Sequence, residues 1–216
     1  MARALVIGAS GGIGAALVRR LARDHDVVGL SRRDDGLDVT DPASVDRHLG
    51  ALDGAFDRVF VATGILAPEG HAPEKALDAI DAGMMARTFA VNAIGPALVL
   101  RHLPRLLARA GRAGVLTARV GSIGDNRLGG WYSYRASKAA ANQVVRTAAI
   151  EIARRDKGAV VAALHPGTVE TPFTEGYKAR KLAPDEAAGR LARVLDGLAA
   201  SDTGGFFDHE GRAVEW

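Results

Sequence analysis

The 216-residue chain has no cysteine, which excludes disulfides and thiolate metal sites. It also lacks a long hydrophobic run: no stretch reads as the roughly 18 apolar residues that a membrane span needs. The opening Met-Ala-Arg-Ala-Leu-Val-Ile-Gly shows no separate apolar region followed by a cleavage site. Charge of one sign is missing too, with 28 Lys and Arg set against 25 Asp and Glu for a net +3. That balance is too mild for a nucleic-acid binder. Arg101, Arg105, Arg109 and Arg112 follow helical spacing, but no aromatic platform accompanies them, so they read as a solvated helix face. Internal repeats, low-complexity segments and linkers are absent as well. These absences predict a cytoplasmic protein with neither membrane nor nucleic acid as partner, built as one domain over residues 1–216.

What is present is an ordinary globular balance, 48% apolar and 25% charged. Residues 3–7, Arg-Ala-Leu-Val-Ile, read as a buried strand, and Gly8-Ala9-Ser10-Gly11-Gly12-Ile13-Gly14 follows before a helical pattern. A strand, a glycine-rich turn and a helix start make a phosphate site, because bare N–H groups and the helix dipole face the anion. The spacing is Gly8-x-x-x-Gly12-x-Gly14, neither G-x-G-x-x-G nor a P-loop. A second strand runs from Asp26 into Ser31, Arg32 and Arg33. In a dinucleotide fold this end sits beside the adenosine ribose, where an acid suits NAD and an arginine suits NADP. The expectation is NADP(H) over NAD(H).

Leu37–Thr40 reads as a third strand, Arg58–Gly64 as a fourth, Gly114–Val120 as a fifth, Ala159–Leu164 as a sixth and Gly205–Asp208 as a last one. Between the fourth and fifth, residues 73–110 read as mostly helical, with Gly83 as a break and Asn92 ahead of a Gly95-Pro96 kink. A long helix is predicted over Trp131–Arg155 and another after Pro184; His165 reads as a structural residue beside a turn, and Trp216 as a packing residue. Strands alternating with helices predict an α/β fold, a doubly wound parallel sheet of about seven strands with helices on both faces in three α/β/α layers. Ligands in such sheets bind beyond the carboxyl ends of the strands. There the glycine-rich turn, Ser31–Arg33, Thr63-Gly64, Ser122 and the turn Pro166–Thr171 all fall.

The stretch Val120–Lys138 carries the chemistry. Ser122 follows the fifth strand, and Tyr134 and Lys138 stand four residues apart, on one face if a helix begins there. A phenol beside an ammonium is a proton donor whose pKa the cation lowers.

With Gly8-x-x-x-Gly12-x-Gly14, Asn92, Ser122, Tyr134-x-x-x-Lys138 and Pro166-Gly167 in order, the chain resembles the short-chain dehydrogenases/reductases over essentially its full length. Ser122–Asn126 and His165–Pro172 resemble the C-factor-like branch, whose members are linked to intercellular signalling. The resemblance implies a Rossmann-type fold, a small-molecule carbonyl or alcohol substrate, and a homodimer or homotetramer. Tyr134 would serve as acid/base. Lys138 would lower its pKa and hold the nicotinamide ribose, Ser122 would hold the substrate oxygen, and Asn92 would anchor a water behind Lys138. Cofactor contacts would come from Gly8, Ser10, Gly11, Gly12, Ile13, Gly14, Ser31, Arg32, Asp38, Val39, Thr63, Gly64, Tyr134, Lys138, Pro166, Gly167, Val169 and Thr171, with no metal. Three departures stand out: Val61-Ala62-Thr63-Gly64 replaces an Asn-Asn-Ala-Gly run, Ile7 stands where Thr is common, and the segment Thr171–Pro184 is short. Substrate walls are expected from the loop after Thr63, from Asp125–Trp131 and from Thr171–Lys181.

Overall fold

The computed structural model describes residues 1–178 and 180–216; Ala179, within the expected substrate wall Thr171–Lys181, lies outside the described residues. Six strands pair throughout in parallel: β1 Ala2–Ile7, β2 His25–Leu30, β3 Phe56–Val61, β4 Leu107–Leu116, β5 Val160–His165 and β6 Phe206–Asp208. Their order is β2-β1-β3-β4-β5-β6, so the winding direction reverses between β1 and β3. That switch point is where an open sheet leaves a crevice.

Helices α1 Gly12–Leu21, α2 Arg32–Asp35, α3 Pro42–Gly50, α4 Ala82–Phe89, α5 Gly95–Leu100, α6 Leu103–Leu106, α7 Tyr132–Arg155 and α8 Pro184–Gly197 complete the fold. Strand alternation sorts side chains onto two faces. Leu5, Ile7, Val59 and Val61 pack with Val45, Val99 and Val145 from α3, α5 and α7. Ala4, Val6 and Phe60 pack with Leu17 and Leu191 from α1 and α8. Burial on both faces is why the strands read as continuous apolar runs rather than alternating ones.

The seventh strand expected at Leu37–Thr40 does not form. Ser31 caps α2 by accepting the N–H of Asp34, and Gly36 then turns the chain with φ +76. The N–H of Asp38 goes to Ser44 Oγ at 3.1 Å, and the Asp38 carboxylate takes the N–H and hydroxyl of Thr40. Backbone groups so committed have nothing to offer β2, although Leu37 and Val39 still bury their side chains.

The 73–110 region is also less helical than its pattern. Asp81 caps α4 through the N–H of Met84, so Gly83 lies in a first turn rather than at a break. β4 begins at Leu107, and its pairing slips between Phe56 and Arg58. The arginines expected on one helix face are therefore dispersed. Arg101 pairs with Asp46, Arg105 donates to the carbonyls of Leu49 and Leu52, and Arg112 donates to Leu198 O from within β4.

Ala82–Leu100 is, at 19 residues, long and apolar enough to cross a membrane by length and composition, which the sequence pattern did not single out. A π-turn at Ala90–Ile94 interrupts it, and α4 and α5 pack along α7.

Candidate active site

The carboxyl edge of the sheet begins with Gly8 at φ +88. The N–H groups of Gly8 and Ala9 both donate to Leu30 O, at 2.8 and 3.1 Å, tying this loop to the end of β2. Gly14 has no room for a side chain, since a Cβ there would stand 2.0 Å from Gly8 O. At Gly12 a Cβ would meet Thr171 Cγ2 at 2.5 Å, so the glycine-rich loop and the Pro166–Thr171 turn are in contact. Gly11 opens α1 without a side-chain cap. Its first-turn N–H groups, including that of Ile13, face the space beyond the sheet as helix N-termini do toward anions.

Beside this loop lies a cavity of about 350 Å³ lined by Gly8, Ser10, Gly11, Ser31, Arg32, Asp38, Val39, Thr63 and Gly64. Its electrostatics depend on two residues. Ser31 is buried, with its N–H donated to Asp35 at 2.8 Å and its hydroxyl shared with Asp34. Both acids beside the ribose position are thereby turned inward on Ser31. Arg32 makes no ion pair among the described residues, whereas Arg33 is held by Asp34 at 2.8 Å. The Thr40 hydroxyl and N–H, with Arg32 nearby, keep the Asp38 carboxyl below its usual range. Thr63 Oγ1 is buried without a partner among the described residues.

A second cavity of about 560 Å³ opens on the other side of Gly64 and takes in Ile13, Tyr134, Lys138, Pro166, Gly167, Val169 and Thr171. Val169 and Leu182 bridge the turn to the next segment, with Leu182 N donating to Thr168 O at 2.8 Å. Of the three segments expected to wall the substrate, two contribute most here: Leu128, Gly129 and Trp131 from one, and Phe173, Thr174 and Tyr177 from the other. Of the turn Gly124–Leu128 only Leu128 lines the cavity, and the loop after Thr63 adds Gly64 alone.

The helix bearing the pair starts in an unusual way. Gly129, Gly130 and Trp131 take φ values of +62, +66 and +55 in succession, a costly conformation for tryptophan. Arg135 holds this bend from one side, donating to Gly129 O and Gly130 O at 3.2 and 3.0 Å and to Val120 O at 3.3 Å. Glu74 holds it from the other. The Glu74 carbonyl accepts the N–H of Trp131 at 2.5 Å, and its carboxylate accepts both the N–H and the hydroxyl of Ser133. Burial alone would raise the Glu74 pKa; the Ser133 bonds outweigh it and hold the carboxyl below its usual value. Nothing in the sequence marks Glu74, because the two partners stand 59 residues apart. Glu74→Ala is expected to cost about 1–3 kcal/mol by leaving the α7 terminus unsatisfied, measured as a lower midpoint in urea; an unchanged midpoint would show the contact to be idle.

On α7, Tyr134 and Lys138 are 6% and 3% exposed and face the same cavity. Lys138 Nζ donates to Leu116 O at 3.2 Å and lies 6.0 Å from the centre of the Tyr134 ring. The expected lowering of the tyrosine pKa by its lysine is not what dominates. Burial pushes the Tyr134 phenol up, with the Tyr177 phenol adding to it, and burial pushes Lys138 down to about 8. Desolvation penalises the charged form of each, which outweighs their mutual effect at this separation.

Asn92 sits in the π-turn. Its Nδ2 donates to Ile65 O at 2.9 Å and to Ser137 Oγ at 3.0 Å, and its Oδ1 accepts the N–H of Ile65 at 2.8 Å. It braces the loop after Gly64 against α7, one residue before Lys138. A Cβ on Gly64 would stand 3.0 Å from Lys138 Nζ, so Gly64, Asn92 and Lys138 form one cluster. Ser122 is 2% exposed, its hydroxyl accepting the N–H of Asp125 at 3.0 Å. It is not among the side chains lining the cavity. His165, read as a structural residue beside a turn, also lines the cavity; burial, with Arg119 next, pushes it down to about 4. Trp216 packs as expected, stacked on Phe206 at 5.7 Å, and its carbonyl accepts the N–H of Gly124.

A doubly wound parallel sheet with a glycine-rich loop at its switch point and a Tyr–Lys pair at its carboxyl edge defines a Rossmann-type α/β protein. Residues 8–196 match the family described as enoyl-(acyl carrier protein) reductase. A 1-hydroxy-2-glutathionyl-2-methyl-3-butene dehydrogenase of Rhodococcus sp. (strain AD45) is 31% identical over all of both chains. The C-signal of Myxococcus xanthus is 44% identical over 143 residues, 65% of this chain and 84% of that protein. A carbonyl reductase from Pseudomonas aeruginosa PAO1, solved in complex with NADP, superposes with a TM-score of 0.83 at 26% identity over all of both chains. The chain belongs to the short-chain dehydrogenase/reductase family of oxidoreductases.

Proposed function

We propose that residues 1–216 form one NADP(H)-dependent catalytic domain that interconverts a carbonyl and a secondary alcohol. The observation that carries this reading is the placement of Tyr134 and Lys138 on the wall of one cavity with Ile13 and the Pro166–Thr171 turn. The residues fit a dinucleotide. Gly8, Gly12 and Gly14 keep the loop bare where a Cβ would crowd Ala62, Thr171 and the Gly8 carbonyl, and the buried Thr63 hydroxyl has no partner among the described residues. Arg32 brings a cation without an ion pair to the ribose end, which favours a 2′-phosphate. The NADP seen in the Pseudomonas aeruginosa relative supports the same choice.

When bound, the dinucleotide supplies or takes up the hydride. The loop Gly8–Gly14 would hold its phosphates, Arg32 its ribose phosphate, and Pro166, Gly167, Val169 and Thr171 its nicotinamide end. Tyr134 gives its proton to the carbonyl oxygen in reduction and takes the hydroxyl proton in oxidation. Lys138 holds the ribose and stabilises the phenolate left behind. Ser122 would need to turn its hydroxyl to the substrate oxygen from the Asp125 turn; Asn92 positions Lys138 through the Ile65 and Ser137 bonds.

The direct test is NADPH oxidation over a panel of ketones and aldehydes; no turnover with any of them would refute the activity. The likeness to C-signal favours a second reading, a dinucleotide sensor with incidental turnover. Tight NADPH binding that alters a partner interaction without consuming NADPH would establish that reading instead.

A pH profile follows from the buried pair. Reduction needs Tyr134 protonated and Lys138 charged. The phenol's raised pKa keeps the first condition through the neutral range, while Lys138 at about 8 limits the second. kcat/KM for NADPH, which reports groups of the free enzyme, should therefore be level below pH 8 and fall about tenfold per unit above it. A profile flat to pH 10 would contradict a lysine poised at that value.

A further inference from the structure

Aromatic side chains are scarce, 5% of the chain, yet three of them gather around the reacting phenol. Trp131 and Tyr177 stack at 5.6 Å with planes 27° apart, Tyr134 and Phe173 lie 5.7 Å apart, and Trp131 meets Tyr134 edge-on at 6.2 Å. Trp131 is held there against its backbone preference by Glu74 and Arg135, so the wall is preorganised and not a chance contact. Two features complete it. The Tyr177 hydroxyl is buried and has no hydrogen-bond partner among the described residues; it lies close enough to Tyr134 to raise the latter's pKa. The cations at the cavity are committed: Arg135 to three carbonyls, Arg119 to Asp208 at 3.1 Å and Asp125 at 3.5 Å, and Lys138 to Leu116 O at 3.2 Å and, in the proposed reaction, to the nicotinamide ribose.

We propose that the substrate is an uncharged aryl carbonyl compound whose ring lies against the Trp131–Tyr177–Phe173 wall, and that Tyr177 donates a hydrogen bond to a second acceptor on that ring. The proposal rests on the carbonyl/alcohol reading for its turnover but not for its binding. A flat ring packs against such a wall in offset-stacked and edge-on arrangements that a saturated ring of equal size cannot match. A carboxylate entering the cavity meets no uncommitted guanidinium, and the Lys138 ammonium is bonded to Leu116 O and taken by the dinucleotide ribose, so the lost hydration is poorly offset. A phenol buried without a partner is an incomplete hydrogen bond that an acceptor on the ligand would complete.

The test compares acetophenone, cyclohexyl methyl ketone, benzoylformate and the three methoxyacetophenones with NADPH. Acetophenone should exceed cyclohexyl methyl ketone in kcat/KM by about 2- to 12-fold for each wall ring that its own ring stacks on or meets edge-on, and benzoylformate should fall below acetophenone. At least one methoxy isomer should rise a further 2- to 12-fold or so through the new hydrogen bond, and Tyr177→Phe should collapse that ratio. Equal rates for the aryl and cyclohexyl ketones, a preference for benzoylformate, or an isomer preference that survives Tyr177→Phe would overturn the proposal. Binding is read separately. The chain has two tryptophans, and Trp216→Phe removes the one stacked on Phe206, leaving Trp131 as the reporter. Saturable quenching of Trp131 by acetophenone, beyond that of free tryptophan and stronger than by cyclohexyl methyl ketone, supports the aryl site. Its absence overturns the site whatever the turnover. Quenching without turnover of any ketone would keep the site and remove the catalytic reading.

Discussion

Tyr134→Phe is expected to lose roughly 10²- to 10⁴-fold in kcat for carbonyl reduction while binding NADPH as the parent does. The substitution removes one oxygen and keeps the ring. That ring packs against Phe173 and Trp131, contacts that phenylalanine reproduces. The hydroxyl makes no hydrogen bond to another described residue, so deleting it strands no partner and the fold should not pay for its loss. What disappears is the proton donor: Lys138 Nζ donates to Leu116 O, Ser122 lies outside the cavity lining, and Tyr177, the other phenol at this wall, is assigned to a second acceptor on the substrate ring. Steady-state rates and a fluorescence titration with NADPH separate the two effects. Unchanged turnover would sink the assignment; lost binding would mean that the phenol serves the dinucleotide rather than the proton.

Replacing Arg32 by Asp should weaken NADPH binding by about 10- to 150-fold, the worth of one charged hydrogen bond, with NADH spared or improved. The neighbouring acids are already engaged. Asp34 and Asp35 close on Ser31 and Arg33, so neither presents a free carboxylate to a ribose hydroxyl. Arg32 lines the same cavity as Ser10, Gly11 and Asp38 and is the cation there without an ion pair among the described residues. In the Asp variant two negative charges would face each other across that cavity. Titration of both dinucleotides at fixed ionic strength decides it, since salt screens exposed charge. Equal affinity of the parent for NADPH and NADH would refute the role of Arg32.

Much of the fold was legible because it is written in local terms. Residues 3–7, 159–164 and 205–208 show strand-length apolar runs that coincide with β1, β5 and β6. α7 and α8 appear within a residue of their expected starts, α8 at a proline that acts over its first turn. Leu37–Thr40 misled because its composition is that of a strand, while its N–H groups are claimed by Ser44 and Asp38. The Arg101–Arg112 spacing misled for a related reason: helical periodicity says nothing about where α6 stops and β4 takes over.

The site divides along the same line. Gly8, Gly12 and Gly14, the four-residue step from Tyr134 to Lys138 and the Pro166-Gly167 turn are legible because each need is met by neighbours in the chain. The C-terminal edge of a parallel sheet collects them without further instruction. Only the tertiary structure decided the rest. It placed Glu74 under Ser133 and Asn92 between Ile65 and Ser137. It raised Tyr134 and lowered Lys138 by burial rather than by their charge pairing, and it brought Phe173 and Tyr177 to the phenol. Spacing along a chain determines which groups share a face. Desolvation and the company a buried side chain keeps depend on segments that meet only once the sheet is wound.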